Sequence, residues 1–368
     1  MVLREYLIIG LFTLLTVVVS ACSRPQPTST PTVTPTLAVI AAIPPTLTAT
    51  PDPTASPTPP HTATPTPPSA LPSPPSIGAL LYGFSHEWGT LGDGPGQFDE
   101  PQDLVLDEDG NVYVADSFNY RIQKFSSDGT FITQWPDTDV PFGIAIGKGG
   151  NVYTANFYGI KKFTPDGALI AAWQAPDGFE GVAVDAEGHV YATDGENNRV
   201  LKFTSDGTLI TQWGSVGDQP GQLDWPEGLA VDKDGNVYVA DFYNDRTQKF
   251  SSDGTFISLW GGSFGERRGE FKGASNVAVD NAGRIFVTDR YNHRVQVFTS
   301  DGTFVTQWGS RGSGPGRFKG PSGVAVDIAG NVYVSDLGNH RIQVFSPIAP
   351  PPPTPPPTTT GTPSGRGQ

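Results

Sequence analysis

From about residue 80 to residue 346 apolar and polar residues alternate in short runs, and nowhere do they settle into helical spacing. One stretch shows the unit. "DLVLD" (Asp103–Asp107) is followed by the turn "DEDGN", then "NVYVAD", the loop "SFNY", "RIQKF", the turn "SSDG" and "TFITQW", which ends at Trp135. The pattern predicts four short strands joined by tight turns, with Asp-Gly supplying the positive φ that such a turn needs. The unit returns around Asn151, His189, Asn236, Arg284 and Asn331, and tryptophans close successive copies at Trp135, Trp173, Trp213, Trp260 and Trp308.

A repeat of roughly 40 to 50 residues made of short strands predicts a propeller. A lone four-stranded sheet leaves both apolar faces bare, whereas radial stacking buries each against a neighbour. The sixth copy, "GVAVDIAGNVYVSDLGNHRIQVFSP", stops after its third strand, while "LLYGFSHEWG" (residues 80–89) supplies a fourth strand at the other end, Phe84 and Trp88 matching Phe131 and Trp135. The expected fold is therefore all-β: a six-bladed propeller of four-stranded antiparallel blades over residues 77–346, closed by residues 80–89. Closure removes the open edge that would invite association.

The copy "GLAVDKDGNVYVADFYNDRTQKFSSDGTF" (Gly228–Phe256) and its sisters, with Asp-x-x-Gly-Asn-Val-Tyr-Val-x-Asp and Asn-x-Arg in order, resemble the NHL-repeat family over essentially all of residues 90–346. The second copy departs from the pattern. Gly147 replaces an Asp, Asn156 replaces the strand-ending Asp, and "NFYGIKKF" lacks two residues and the Asn-x-Arg.

The ends differ in composition. Residues 23–76 are nearly all Pro, Thr, Ser and Ala, and residues 347–368 have the same character. Such segments lack the apolar content for a core, so 22–76 reads as an extended stalk and 347–368 as a disordered tail. Before them, Tyr6–Val19 is an apolar run too short for a comfortable membrane span, followed by Val19-Ser20-Ala21-Cys22. This resembles the lipobox of bacterial lipoproteins, which implies a signal peptide over 1–21, lipid on Cys22 and export to the periplasm or cell surface. Cys22 is the only cysteine, so no intramolecular disulfide forms. The formal net charge of −14 disfavours nucleic acid as a partner. The expected membrane contact is the Cys22 lipid alone, and the expected oligomeric state is a monomer.

The six copies align with one another, so residues present in each read as frame and residues that vary read as free for function. Asp116, Asp194, Asp241, Asp289 and Asp336, each followed five residues later by an Arg (Arg121, Arg199, Arg246, Arg294, Arg341), are expected to form structural bridges. The tryptophans are expected to pack. Turns between strands one and two and between three and four share one acidic face. The two-to-three loops and the blade-to-blade loops share the other.

Functional residues are expected on that second, long-loop face. In NHL propellers that are peptide-amidating lyases, zinc is held by His just after the Pro that leads into the first strand. The equivalent positions here are Gln102, Phe142, Glu180, Glu227, Ser275 and Ser322, with no His among them, so zinc is not expected there. Glu180 and Glu227 lead into adjacent blades, where they would share a cation or act as an acid–base pair, with Asp103 and Asn276 one step further in. The resemblance extends to six-bladed lactonases, which hold a divalent metal at the channel. Two acidic positions in six do not make a full oxygen cage, so no cofactor is expected. His293 and His340, in Asn-His-Arg loops, read as idle. Phe142 and Trp225 are candidates for stacking on a ligand, and Arg267, Arg268, Arg311 and Arg317 for gripping an anion; the competing reading of Trp225 is that it packs its loop onto the rim. The expected function is noncatalytic binding of a protein, peptide or glycan through this face. The alternative is an extracellular lyase or hydrolase, lactonase-like or amidating-lyase-like, working at the channel mouth.

Overall fold

A computed structural model describes residues 81–348, except residue 176, together with the two-residue strand Ala38–Val39. Cys22, the segment read as a signal peptide, most of the segment read as a stalk and residues 349–368 of the expected tail lie outside the described residues, while the first two residues of that tail, Pro347 and Ile348, belong to a strand.

Six sheets of four antiparallel strands follow one another. Blade 1 comprises Pro101–Leu106, Val112–Asp116, Arg121–Phe125 and Phe131–Pro136; blade 2, Gly143–Ile146, Val152–Asn156, Gly159–Phe163 and Leu169–Gln174. Blade 3 comprises Val182–Val184, Val190–Asp194, Arg199–Phe203 and Leu209–Trp213; blade 4, Pro226–Val231, Val237–Asp241, Arg246–Phe250 and Phe256–Gly261. Blade 5 comprises Ala274–Val279, Ile285–Asp289, Arg294–Phe298 and Phe304–Trp308. Blade 6 takes Pro321–Val326, Val332–Asp336 and Arg341–Ile348 from the C-terminal side and Leu81–Trp88 from the N-terminal side, in the register Phe84↔Phe345 and Trp88↔Ile342. The ring therefore closes as the repeat count requires. Ala38–Val39 adds to the outer strand of blade 2 in parallel, Ala38 opposite Trp173.

Burial follows the radial logic. Each second strand is buried throughout, because both of its faces meet a neighbouring blade. One apolar cluster fills each of the six junctions. Five tryptophans lie on the turn glycine of the following blade: Trp88 on Gly129, Trp135 on Gly167, Trp173 on Gly207, Trp213 on Gly254 and Trp260 on Gly302. A side chain at those glycines would run into the indole, and their φ is positive.

The Asp–Arg pairs are frame, as expected. Asp116 Oδ2 accepts from Arg121 Nε at 2.6 Å, and the equivalent pairs in blades 3 to 6 measure 2.7–2.8 Å. Each aspartate also accepts from an asparagine three residues on, for example Asn244 to Asp241 at 2.9 Å. In four of the five blades the arginine's other nitrogens donate to carbonyls of the incoming loop, as Arg246 does to Asp218, Gln219 and Gln222. Blade 2, which lacks the pair, substitutes Lys161, whose Nζ lies 2.6 Å from Asp137 and 2.5 Å from Asp139.

Candidate functional site

The first strands converge on the channel with their N-terminal ends at one mouth. Gln102, Phe142, Glu180, Glu227, Ser275 and Ser322 all line it, one from each blade. These are the six positions that the internal alignment groups together. One residue further along the strands stand Asp103, Gly143, Gly181, Gly228, Asn276 and Gly323. Four are glycines because the strands are crowded there: a Cβ at Gly323 would lie 2.7 Å from Asp103 Cα, and one at Gly228 would lie 2.6 Å from Asn276 Cγ. The two side chains that do occupy this layer meet across the channel, Asn276 Nδ2 donating to Asp103 Oδ1 at 2.8 Å. Blade 5 is thereby joined to blade 1 past blade 6.

Hydroxyls of the second strands tie this layer together. Thr288 Oγ1 donates to the Ser322 carbonyl at 2.6 Å, Ser335 Oγ to the Gln102 carbonyl at 3.2 Å, and Thr193 Oγ1 to the Glu227 carbonyl. The mouth is thus a pocket with a rigid floor.

Its carboxyl groups sit in different environments. Burial pushes Asp103 up to about 7, against the pull of backbone donors at Ile144 and Leu104 and of Asn276. Glu180 rises to about 8, first through burial and then through the nearby charge of Glu227. Glu227 is also raised by burial, but Arg290 and Ser275 oppose the rise. Arg290 Nη1 lies 3.6 Å from Glu227 Oε1, and Ser275 Oγ donates to Glu227 Oε2 at 2.6 Å. Near neutral pH, Glu180 is therefore mainly an acid with a proton to donate.

Phe142 lines this mouth, and further aromatic side chains stand in loops of the same face. Trp225 holds an αL backbone, φ 53°, at a place where blades 3, 5 and 6 use glycine (Gly178, Gly273, Gly320). Its backbone N–H donates to Asn198 Oδ1 at 2.8 Å. An indole in that strained conformation comes close to Glu180, since both approach the face of Gly195. From Trp225 an arc of rings runs through Tyr243 (6.1 Å) and Phe242 to Tyr291 (5.8 Å). In blade 2, Phe142 meets Phe157 edge-on at 4.4 Å. Phe118, Phe157, Tyr158, Tyr243 and Tyr291 are 45–65% exposed. Sequence reasoning singled out Phe142 and Trp225 but missed the two-to-three loop aromatics. The signal was available, because Phe118, Tyr158, Tyr243 and Tyr291 stand in corresponding loops.

None of Arg267, Arg268, Arg311 and Arg317 lines the mouth. The Arg267 side chain is 89% exposed beside Glu270, and the Arg268 guanidinium lies 5.7 Å over Phe304 on the outer strand of blade 5. The histidines are not idle. His293 Nδ1 accepts the Gly320 N–H at 3.0 Å, and His340 Nδ1 accepts the Glu100 N–H at 3.2 Å. Asn198 and Asp245 do the same for Trp225 and Gly273. This position, αL in each case, clasps the next blade.

Asp103 and Asn276 do not offer free oxygens to a divalent cation as built. Both Asp103 oxygens already accept backbone N–H groups, and Asn276 turns its NH₂ toward them. Among the described residues the one cluster with metal-like spacing is Asp185, Glu187 and His189, on the turn face. There His189 Nδ1 contacts Asp185 Oδ2 at 2.9 Å, the place that Asn111, Asn236 and Asn331 take in their own turns.

Comparison with known proteins agrees with this architecture. The NHL-repeat family model matches residues 98–125, 180–203 and 223–250, and a 6-bladed beta-propeller family model matches residues 266–346. No curated protein matches the sequence. Solved structures with the same fold include an auxiliary nutrient binding protein from Bacteroides ovatus, at 15% identity and TM-score 0.57 over 73% of this chain and 78% of that one. A streptogramin B lyase (16%, TM-score 0.53, 73% and 98%) and a gluconolactonase from Xanthomonas campestris (16%, TM-score 0.53, 69% and 88%) share it as well. The chain carries NHL repeats and folds as a six-bladed β-propeller.

Proposed function

We propose that the chain is a noncatalytic binding protein that takes a glycan on its long-loop face. The observation that carries this reading is the set of exposed aromatic rings on the same face as a carboxyl-lined mouth. Rigid aromatic faces bury area with few rotamers to freeze, and carboxyl, carboxamide and hydroxyl groups at the centre match the donors and acceptors of sugar hydroxyls. The auxiliary nutrient binding proteins show that this fold serves binders. The Cys22 motif supports a lipid-anchored, exported location in which such a ligand is met. Calorimetric titration of a panel of oligosaccharides into the protein tests the reading. Trp225→Ala and Tyr243→Ala should abolish binding with circular dichroism unchanged, whereas Arg267→Glu/Arg268→Glu should leave it intact. A protein that binds none of the panel, or whose binding survives both aromatic variants, overturns the proposal.

A second reading rests on the unequal carboxyl pair. A protonated Glu180 near Glu227 is the arrangement of a general acid beside a carboxylate, and the fold also serves a lyase and a gluconolactonase. Turnover of a bound sugar or lactone that Glu180→Gln eliminates without loss of affinity would establish this reading in place of the first.

A further inference from the structure

On the opposite, turn-bearing face the blades share a second device. In four blades a tyrosine of the second strand pairs across the sheet with a lysine of the third: Tyr113↔Lys124, Tyr153↔Lys162, Tyr191↔Lys202 and Tyr238↔Lys249. Each ammonium lies over its tyrosine ring, 4.6–5.2 Å from the centroid. Lys124 and Lys202 also lie 3.4 and 4.0 Å from the aspartate that opens the turn, Asp107 and Asp185. Lys162 and Lys202 donate to a carbonyl in the next blade's turn, Ser205 and Ser252, at 3.3 Å. Ring, carboxylate and neighbouring carbonyl together make a cation seat.

Blade 5 has lost the pair, with Phe286 opposite Val297, and balances Asp280 with its own Arg284 at 2.5 Å. Blade 6 keeps the ring and the carboxylate but not the cation. Tyr333 stands opposite Val344, the Tyr333 hydroxyl is hydrogen-bonded to Asp327, and Asp327 has no basic side chain within ion-pair distance among the described residues. Where the lysine stem would run there is a cavity of about 200 Å³, open to solvent and lined by Asp327, Tyr333, Val344, His86, Ser127 and Asp128 among others. His86 Nε2 contacts the Ser127 carbonyl at 3.1 Å, while its Nδ1 meets Ser85 Oγ at 3.1 Å.

We propose that this cavity is a binding site for a primary alkylammonium group, seated where other blades hold a lysine of their own. The site's shape suits a straight alkyl stem, because in four sister blades a lysine stem fills the equivalent space. Asp327 supplies the charge, the Tyr333 ring supplies the cation–π face, and Asp128 adds a second carboxylate at the rim. Two sources carry this chemistry: a free alkylamine and a lysine side chain on a partner.

The test is ¹H–¹⁵N NMR titration of the full chain near pH 8, with n-butylamine, n-butanol and a lysine-containing peptide as probes. The amides of Asn331, Ser127 and His86 should shift saturably with n-butylamine. n-Butanol should not move them. Asp327→Asn should lose most of the shift. Val344→Lys should abolish it by seating an internal ammonium, and should raise the melting temperature. Equal shifts with n-butanol would reduce the site to an apolar hole and overturn the proposal, as would undiminished n-butylamine binding in Asp327→Asn. Tighter binding of the peptide than of n-butylamine assigns the site to a partner's lysine, and equal binding assigns it to free amines.

Discussion

Tyr82 stacks on Trp308, with ring centroids 4.7 Å apart and planes inclined by 29°. The other five closing tryptophans lie on a turn glycine of the next blade. Blade 6 has no such turn, because its third and fourth strands come from opposite ends of the repeat. Tyr82 covers the indole in the turn's place. Tyr82→Ala should therefore destabilise the fold by about 2 kcal/mol, seen as a lower urea midpoint at unchanged slope. An unchanged midpoint would mean that Trp308 needs no cover.

Closure extends the same argument to the whole strand. A chain that begins at Thr90 loses Leu81–Trp88, and with it Tyr82, Trp88 and the Glu87–Arg341 ion pair of 2.9 Å. Trp88 is partly buried against the core between blades 6 and 1, so its loss costs less than the roughly 3–5 kcal/mol of a fully buried Trp, and an open strand edge invites association. A chain that begins at Ile77 should be monodisperse by light scattering, and one that begins at Thr90 should aggregate.

The buried pairs give a graded prediction. Asp241 and Arg246 are almost wholly buried and 2.7 Å apart. Asp241→Ala leaves the guanidinium without its carboxylate, which should cost about 3–5 kcal/mol. The blade 3 pair, where the Arg199 side chain is 33% exposed, should cost less on Asp194→Ala, since water can solvate the stranded arginine. Chemical denaturation of the two variants orders them.

The channel carboxyls make stability fall with rising pH. Asp103 and Glu180 hold their protons more tightly folded than unfolded, so their contribution is complete below about pH 4 and is lost as pH rises through about 7 and about 8. Glu180→Gln should flatten the decline of melting temperature between about pH 5 and about pH 9. An identical slope in wild type and variant would show that Glu180 titrates normally.

His293 acts in the opposite sense. Burial and Arg311 lower its pKa, and its Nδ1 accepts the Gly320 N–H. The contribution of this clasp is present above the ordinary histidine pKa and is lost as pH falls through the lowered folded value. His293→Asn keeps an acceptor, as Asn198 does in blade 3, and should remove that part of the acid sensitivity in melting curves below about pH 6.

Blade number, strand order, closure by the N-terminal strand and the six residues of the channel mouth were all legible in the sequence. The reason is physical: six copies of one unit must repeat the same alternation and the same turn chemistry, so the chain aligns with itself. Asp116–Arg121 and its sisters could be read as frame for that reason. The Asn276–Asp103 hydrogen bond could not, because 173 residues separate its partners and only the ring's curvature brings blade 5 to blade 1. Nor could the roles of His293 and His340, since a hydrogen bond to the next blade depends on an αL backbone and on the pitch between blades. The arginines of the late loops showed the reverse. Their charge was plain in the sequence, but the buried Arg294 and Arg341 hold those loops by their carbonyls. Tertiary packing, which decides where a side chain ends up, left Arg267, Arg268, Arg311 and Arg317 out of the lining of the mouth, where Phe142 is the one aromatic.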